Sequence, residues 1–220
     1  PARRSRRAGR LPGALEPASP AAGGYSARDF GPVSELSGSL KVVFYVLSLL
    51  VPVLGGDALR LAWRYERAAI AAGQWWRFIT CHLVHLDGQH ALLNGVGLAL
   101  LWSLFARSYS VWQWLLAVVA SMAAIDAGFW LISRQLQWYV GASGVLHGVF
   151  ACGCIAMLRQ RDRVGFIAAV IFAGKLAYEQ WRGPLPFENA DMVVTVAHLY
   201  GAIGGAAIGM VLRARRQPLY

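Results

Sequence analysis

The sequence predicts an all-α polytopic membrane protein, a bundle of six transmembrane helices. Three observations lead there. Of 220 residues, 57% are hydrophobic and only 15% are charged, whereas about a quarter of a soluble domain is charged. Six apolar stretches recur along the chain, separated by polar links. The arginines cluster beside those stretches, as they do on the cytoplasmic flanks of membrane proteins.

Taken in order, residues 1–36 are rich in Pro, Gly, Ala, Ser and Arg and read as a flexible basic cytoplasmic tail. Arg3-Arg4-Ser5-Arg6-Arg7 has the look of a twin-arginine signal, but no apolar region follows it, so no cleaved signal is expected. Because the chain begins at Pro1 and not at a methionine, a start further upstream is expected. The bundle occupies residues 37–213, with spans at Leu40–Leu54, His90–Phe105, Val111–Ile132, Tyr139–Met157, Val164–Tyr178 and Met192–Leu212. Several are shorter than the ~20 residues that cross hydrocarbon; flanking residues or local thinning of the bilayer accommodate that. Lipid offers the backbone no hydrogen-bond partners, so each span must be helical. Residues 214–220 form a second cytoplasmic tail.

Six spans put both termini on one side. The basic N-terminal run and Arg213, Arg215 and Arg216 make that side cytoplasmic, and Arg107, Arg159, Arg161 and Arg163 fall on it too. The first outer loop, Gly55 to Asp87, runs against the rule with Arg60, Arg64, Arg67 and Arg77. It also carries Asp57, Glu66, Trp63, Tyr65, Trp75 and Trp76, and reads as a loop partly embedded in the headgroup interface. The net charge of +10 is therefore spent on membrane flanks, and no nucleic acid is expected as partner. Cys81, Cys152 and Cys154 lie in or beside apolar segments and read as small apolar fillers. His82, His85 and His90 lack a further ligand at metal-site spacing, so neither a metal nor any other cofactor is expected.

In this topology helices two, four and six begin on the outer side. His90 and Asn94 open helix two, Ser143 opens helix four within Gly141-Ala142-Ser143-Gly144, and His198 lies near the start of helix six. All four then sit at one depth, and polar groups at membrane depth are costly enough to be read as functional. A serine hydroxyl becomes a nucleophile when a base takes its proton. His198 is the leading base, because Gly201, Gly205 and Gly209 share its helix face and let helix six approach Gly144 and Gly148 on helix four. Donors for an oxyanion are available from the N-terminus of helix four, with its free N–H groups and favourable dipole, and from His90 and Asn94. His147, one turn after Ser143, is read as a ring that stacks on His198 and orients it; the alternative is that His147 is itself the base. Asp126 either orients a histidine or pairs with Lys175, and the Lys175 pairing is preferred. That leaves a Ser143–His198 dyad.

At these residues the chain resembles the rhomboid intramembrane serine proteases, and most closely the bacterial rhombosortase subgroup. The resemblance covers about Leu40 to Leu212 and rests on Trp76-Arg77, His90-x-x-x-Asn94, Gly141-Ala142-Ser143-Gly144 and Ala197-His198-x-x-Gly201, in that order. Tyr139 to Gly148, Lys175 to Gln180 and Ala197 to Gly201 look like the rhombosortase versions. The resemblance implies Ser143 as nucleophile, His198 as general base, and an oxyanion hole from the Ser143 backbone with His90 and Asn94. Rhomboids often carry a tyrosine where this chain has His147. The subgroup implies, as substrates, membrane-anchored exported proteins with a C-terminal tail of Gly-Gly motif, transmembrane helix and basic end.

The expected activity is thus a serine endopeptidase of the bacterial inner membrane, with its site open to the outer face. Two rivals of other classes are a catalytically inactive rhomboid-like binding protein, which would usually lack Ser143 or His198, and a small transporter, for which internal repeats are expected. The segment from Glu179 to Asp191, with Gly183, Pro184 and Pro186, is expected to form the entry side for substrate.

Overall fold

The computed structural model describes residues 51–186 and 193–215. The expected tail 1–36, all but the end of the expected span Leu40–Leu54, the stretch 187–192 and residues 216–220 lie outside the described residues. Description begins with a 3₁₀ turn, Val51–Gly55.

The expected interfacial loop is a folded cap. It contains α1 (Gly56–Trp63), strand β1 (Tyr65–Glu66), α2 (Arg67–Ala71) and α3 (Arg77–Thr80). Arg77 ties it together. Its buried guanidinium donates to the carbonyls of Leu61 at 2.9 Å and Arg64 at 2.8 Å, and to Gln74 Oε1 at 2.7 Å. Trp75, Trp76 and Ile79 point outward from the same cap, as side chains do when they sit in a headgroup layer. On the solvent side, a hydrogen bond from Arg64 holds the Glu66 carboxyl below its usual range.

Long helices follow. Asp87 caps α4 (Gly88–Phe105) by accepting the His90 N–H at 2.7 Å. Ser110 and Gln113 form a reciprocal capping box at the start of α5 (Val111–Ala127). This helix continues as a π turn, Gly128–Ile132, and the whole Val111–Ile132 stretch is the one helix among the described residues that is both long and apolar enough to cross a membrane unaided. Strand β2 (Trp138–Tyr139) pairs antiparallel with β1, Tyr65 opposite Tyr139, and so fastens the cap to the bundle. Then come α6 (Ser143–Arg159), α7 (Arg163–Arg182) and α8 (Thr195–Val211). The expected helix Tyr139–Met157 therefore starts later, because Tyr139 is spent on the strand and Gly141 has φ +120°, a conformation that ends any preceding regular structure. The expected helix Val164–Tyr178 runs on to Arg182, with consequences at the site.

The core of the bundle is the contact of α6 with α8, which lie parallel. A Cβ at Gly144 would stand 2.9 Å from the Ala197 carbonyl oxygen, one at Gly148 2.6 Å from that of Gly201, and one at Gly209 3.1 Å from Cys152 Cα. Carbons on Gly201 and Gly205 would overlap the Gly144 and Gly148 carbonyls. The glycine stripe read from the sequence is this seam, and it lets backbone meet backbone. At its far end Arg159 of α6 donates to the Gly209 and Leu212 carbonyls at 3.1 and 2.6 Å and closes the last turn of α8. Helix α5 covers α8 on another side, and α7 returns antiparallel across α6 and α8. The outer faces stay apolar: Leu92, Leu93, Val96 and Leu100 on α4 and Phe166, Ile167, Val170 and Ile171 on α7 are all exposed. Belts of that size mark a surface that lipid covers.

Candidate active site

Ser143 is the first residue of α6, and His198 belongs to the first turn of α8. The parallel seam brings these two helix starts to one level. Ser143 Oγ lies 3.1 Å from His198 Nε2, within hydrogen-bonding distance for a hydroxyl donating to an unprotonated ring nitrogen. Upstream, Tyr139 donates its hydroxyl to the Gly141 carbonyl at 2.7 Å, and the Gly141 N–H donates to Cys81 at 2.9 Å. The turn before the serine is thus clamped on both sides.

His90 lies against that turn. A Cβ at Gly141 would come within 2.8 Å of its ring, so the position requires glycine for close approach as well as for its φ. His85 sits edge-on to His90, with centroids 5.1 Å apart. Burial, and after it the neighbouring His90, push His85 down to about 4, so it is uncharged near neutrality. Asn94 is buried one turn along α4, and its amide donates to the His90 carbonyl at 3.2 Å. Of the two residues expected to stabilise an oxyanion, His90 borders the serine turn, and the Asn94 amide is engaged with its own helix.

The His147 ring lies flat on that of His198, centroids 3.9 Å apart and 7° from parallel. Both of its nitrogens are occupied: Nδ1 meets the Ser143 carbonyl at 2.7 Å and Nε2 meets Lys175 Nζ at 2.9 Å. The stacking expectation describes this geometry, and no ring nitrogen of His147 faces the Ser143 hydroxyl.

Two expectations need correction. Lys175 does not pair with Asp126. Its ammonium contacts Glu179, and Asp126 is turned toward His82, 3.6 Å away. Nor is His198 without a carboxylate: both Glu179 oxygens lie 3.1 Å from its Nδ1. The expected dyad lacks Glu179 because the apolar run of the fifth span stops at Tyr178, whereas the helix continues to Arg182. The available signal was Lys175-x-x-x-Glu179, an i,i+4 pair on one helix face. His82 packs on Tyr139 and, with Cys81 and Asp126, forms a group whose possible ligand atoms lie within 4.8 Å of one another, while His85 and His90 pair with each other.

Trp76 and Arg77 are structural neighbours of this arrangement, with Arg77 pinning the cap that carries Cys81 to the serine turn. As a whole the site presents a hydroxyl, a paired imidazole, and the N–H groups at a helix start, which have no carbonyl partner within their own helix. Those are the groups that acyl transfer requires.

The Rhomboid domain family matches residues 72–215. A Bacillus subtilis (strain 168) protein named "Putative rhomboid protease YdcA" is 25% identical over 151 residues, covering 69% of this chain and 74% of that protein.

Proposed function

The chain belongs to the rhomboid family, and from that premise we propose that this membrane protein is an active intramembrane serine endopeptidase. The observation that carries the proposal is the 3.1 Å approach of Ser143 Oγ to His198 Nε2 at the head of the glycine seam. The name of the Bacillus relative points the same way.

Ser143 Oγ attacks the scissile carbonyl carbon while His198 Nε2 takes the hydroxyl proton. The oxygen of the tetrahedral intermediate is held by N–H groups at the start of α6, with His90 and Asn94 beside them. Collapse breaks the C–N bond, and the proton on Nε2 goes to the departing amine. Water then repeats the sequence on the acyl-enzyme and frees Ser143. His147 orients His198 by stacking. A helical substrate must unwind locally, since a helical amide is shielded by its own hydrogen bonds.

The finer reading is a six-span enzyme of the bacterial inner membrane, with termini in the cytoplasm and the site open to the outer face. Its substrates are membrane-anchored exported proteins with rhombosortase-type Gly-Gly, transmembrane and basic tails. The motifs from Tyr139 to Gly148, Lys175 to Gln180 and Ala197 to Gly201 support that assignment. The experiment is two-fold. A fluorophosphonate probe should label wild-type protein and not Ser143→Ala. Mass spectrometry of tail-bearing proteins should show their processing only with Ser143 intact. Equal labelling of the alanine variant would overturn the assignment of the nucleophile, and unchanged tail processing would overturn the substrate class.

A further inference from the structure

The geometry assigns a third member to the catalytic pair: Glu179 is the positioning carboxylate of His198, and Lys175 is the cation that holds Glu179 in place and keeps His147 neutral. This rests on the serine-hydrolase reading above and adds to it two residues outside the expected dyad.

An ionised carboxylate only accepts hydrogen bonds, so His198 Nδ1, 3.1 Å from both Glu179 oxygens, carries the ring proton. Its Nε2 is then a bare lone pair facing the serine hydroxyl, as a general base must be. An ammonium only donates, so His147 Nε2 accepts from Lys175, and His147 Nδ1–H donates to the Ser143 carbonyl. His147 is thereby neutral and in one tautomer. A second imidazolium stacked 3.9 Å from His198 would oppose the charge that His198 acquires during catalysis. The contacts form a closed circuit from the Ser143 hydroxyl through His198, Glu179, Lys175 and His147 to the Ser143 carbonyl.

Burial makes the circuit obligatory. The Glu179 side chain is wholly enclosed, and a carboxylate there requires partners for its charge. Lys175, one helical turn earlier, supplies one, and His198 supplies the other when protonated. During acylation the serine proton stops at Nε2 and the Nδ1 proton stays where it is, so Glu179 stabilises the imidazolium without being protonated.

The charged and titratable groups facing His198 are His147 on α6, Lys175 and Glu179 on α7, and His90 on α4, which is within electrostatic reach. On α5, Asp126 is directed to His82. The test is the rate of fluorophosphonate capture at Ser143 against pH, on the full chain in proteoliposomes. For Glu179→Gln the plateau should fall by up to about 10⁴-fold, the loss that follows when a triad carboxylate is made neutral. Its acid limb should move to lower pH, because the imidazolium has lost its anion. For Lys175→Met the acid limb should move to higher pH, because a cation has left. Glu179→Asp should recover part of the plateau. A purely structural tie between helices would lower both plateaus and leave both limbs in place, and that result would overturn the assignment, as would wild-type capture by Glu179→Gln. If Glu179→Gln does not fold, the Lys175→Met limb decides alone, and an unmoved limb counts against the circuit. Absence of capture at Ser143 in the wild type would instead overturn the underlying hydrolase reading.

Discussion

The Ser143 hydroxyl and the His147 ring never meet, although the two residues are one turn apart on α6: His147 bonds the Ser143 carbonyl, and the hydroxyl points across the seam to His198. In the proposed mechanism the ring nearer in sequence is a support, and the ring on the other helix is the base. His198→Ala should therefore lose nearly all activity. His147→Phe keeps an aromatic face against His198 and drops both hydrogen bonds, so its loss should be nearer tenfold, or about 1.4 kcal/mol. Rates of substrate cleavage for the two variants check this. A dead His147→Phe beside an active His198→Ala would exchange the roles.

Gly205→Leu should inactivate without altering any group that takes part in chemistry. A side chain there runs into the Gly148 carbonyl and forces α8 off α6. A displacement of about 1 Å costs on the order of 10² in rate. Insertion should persist, because it depends on hydrophobicity. Cleavage and protease-accessibility topology, measured on one preparation, separate the two effects.

Asn94→Ala should slow turnover by less than the 10²–10³ that accompanies loss of a fully engaged oxyanion donor. Its amide is bonded to the His90 carbonyl in this state and must turn to help, while backbone N–H groups remain. The kcat of the variant decides, and an unchanged value returns Asn94 to a purely structural role.

Arg77→Leu should destabilise the protein. It strands two backbone carbonyls and a glutamine oxygen in a buried site, and bonds to a charged group are worth about 1.5–3 kcal/mol each. A thermal unfolding series on purified protein should show the midpoint falling by about 10 °C or more, with activity lost in parallel.

Much of this was legible in the sequence. Ser143, His198 and the glycines between them announce themselves, since a four-residue glycine spacing and polar residues in apolar stretches have few other uses. The cap was harder to read. Tyr65 and Tyr139 form a two-residue strand pair, too short for any alternation to register. Glu179 was lost at a boundary: helix ends are read from composition, and Glu179-Gln180 looks like the start of a polar loop. The i,i+4 spacing of Lys175 and Glu179 is the one local sign that α7 extends another turn, and it does not show that the carboxylate lies beside His198. Asp126 attracted attention because it lies inside a span, but depth alone does not choose between Lys175 and His82 as its neighbour.

Helix α7 carries Lys175 and Glu179 on one turn while its other face, through Val170 and Ile171, looks outward. One rigid rod is thus both an outer wall of the protein and part of its wiring. A substrate that arrived by pushing this rod aside would unplug His198 from its anion at the moment of engagement. A substrate that slipped past with the rod at rest would find the site already armed. Under the proposed mechanism, the position of a single helix would then set the strength of a single base.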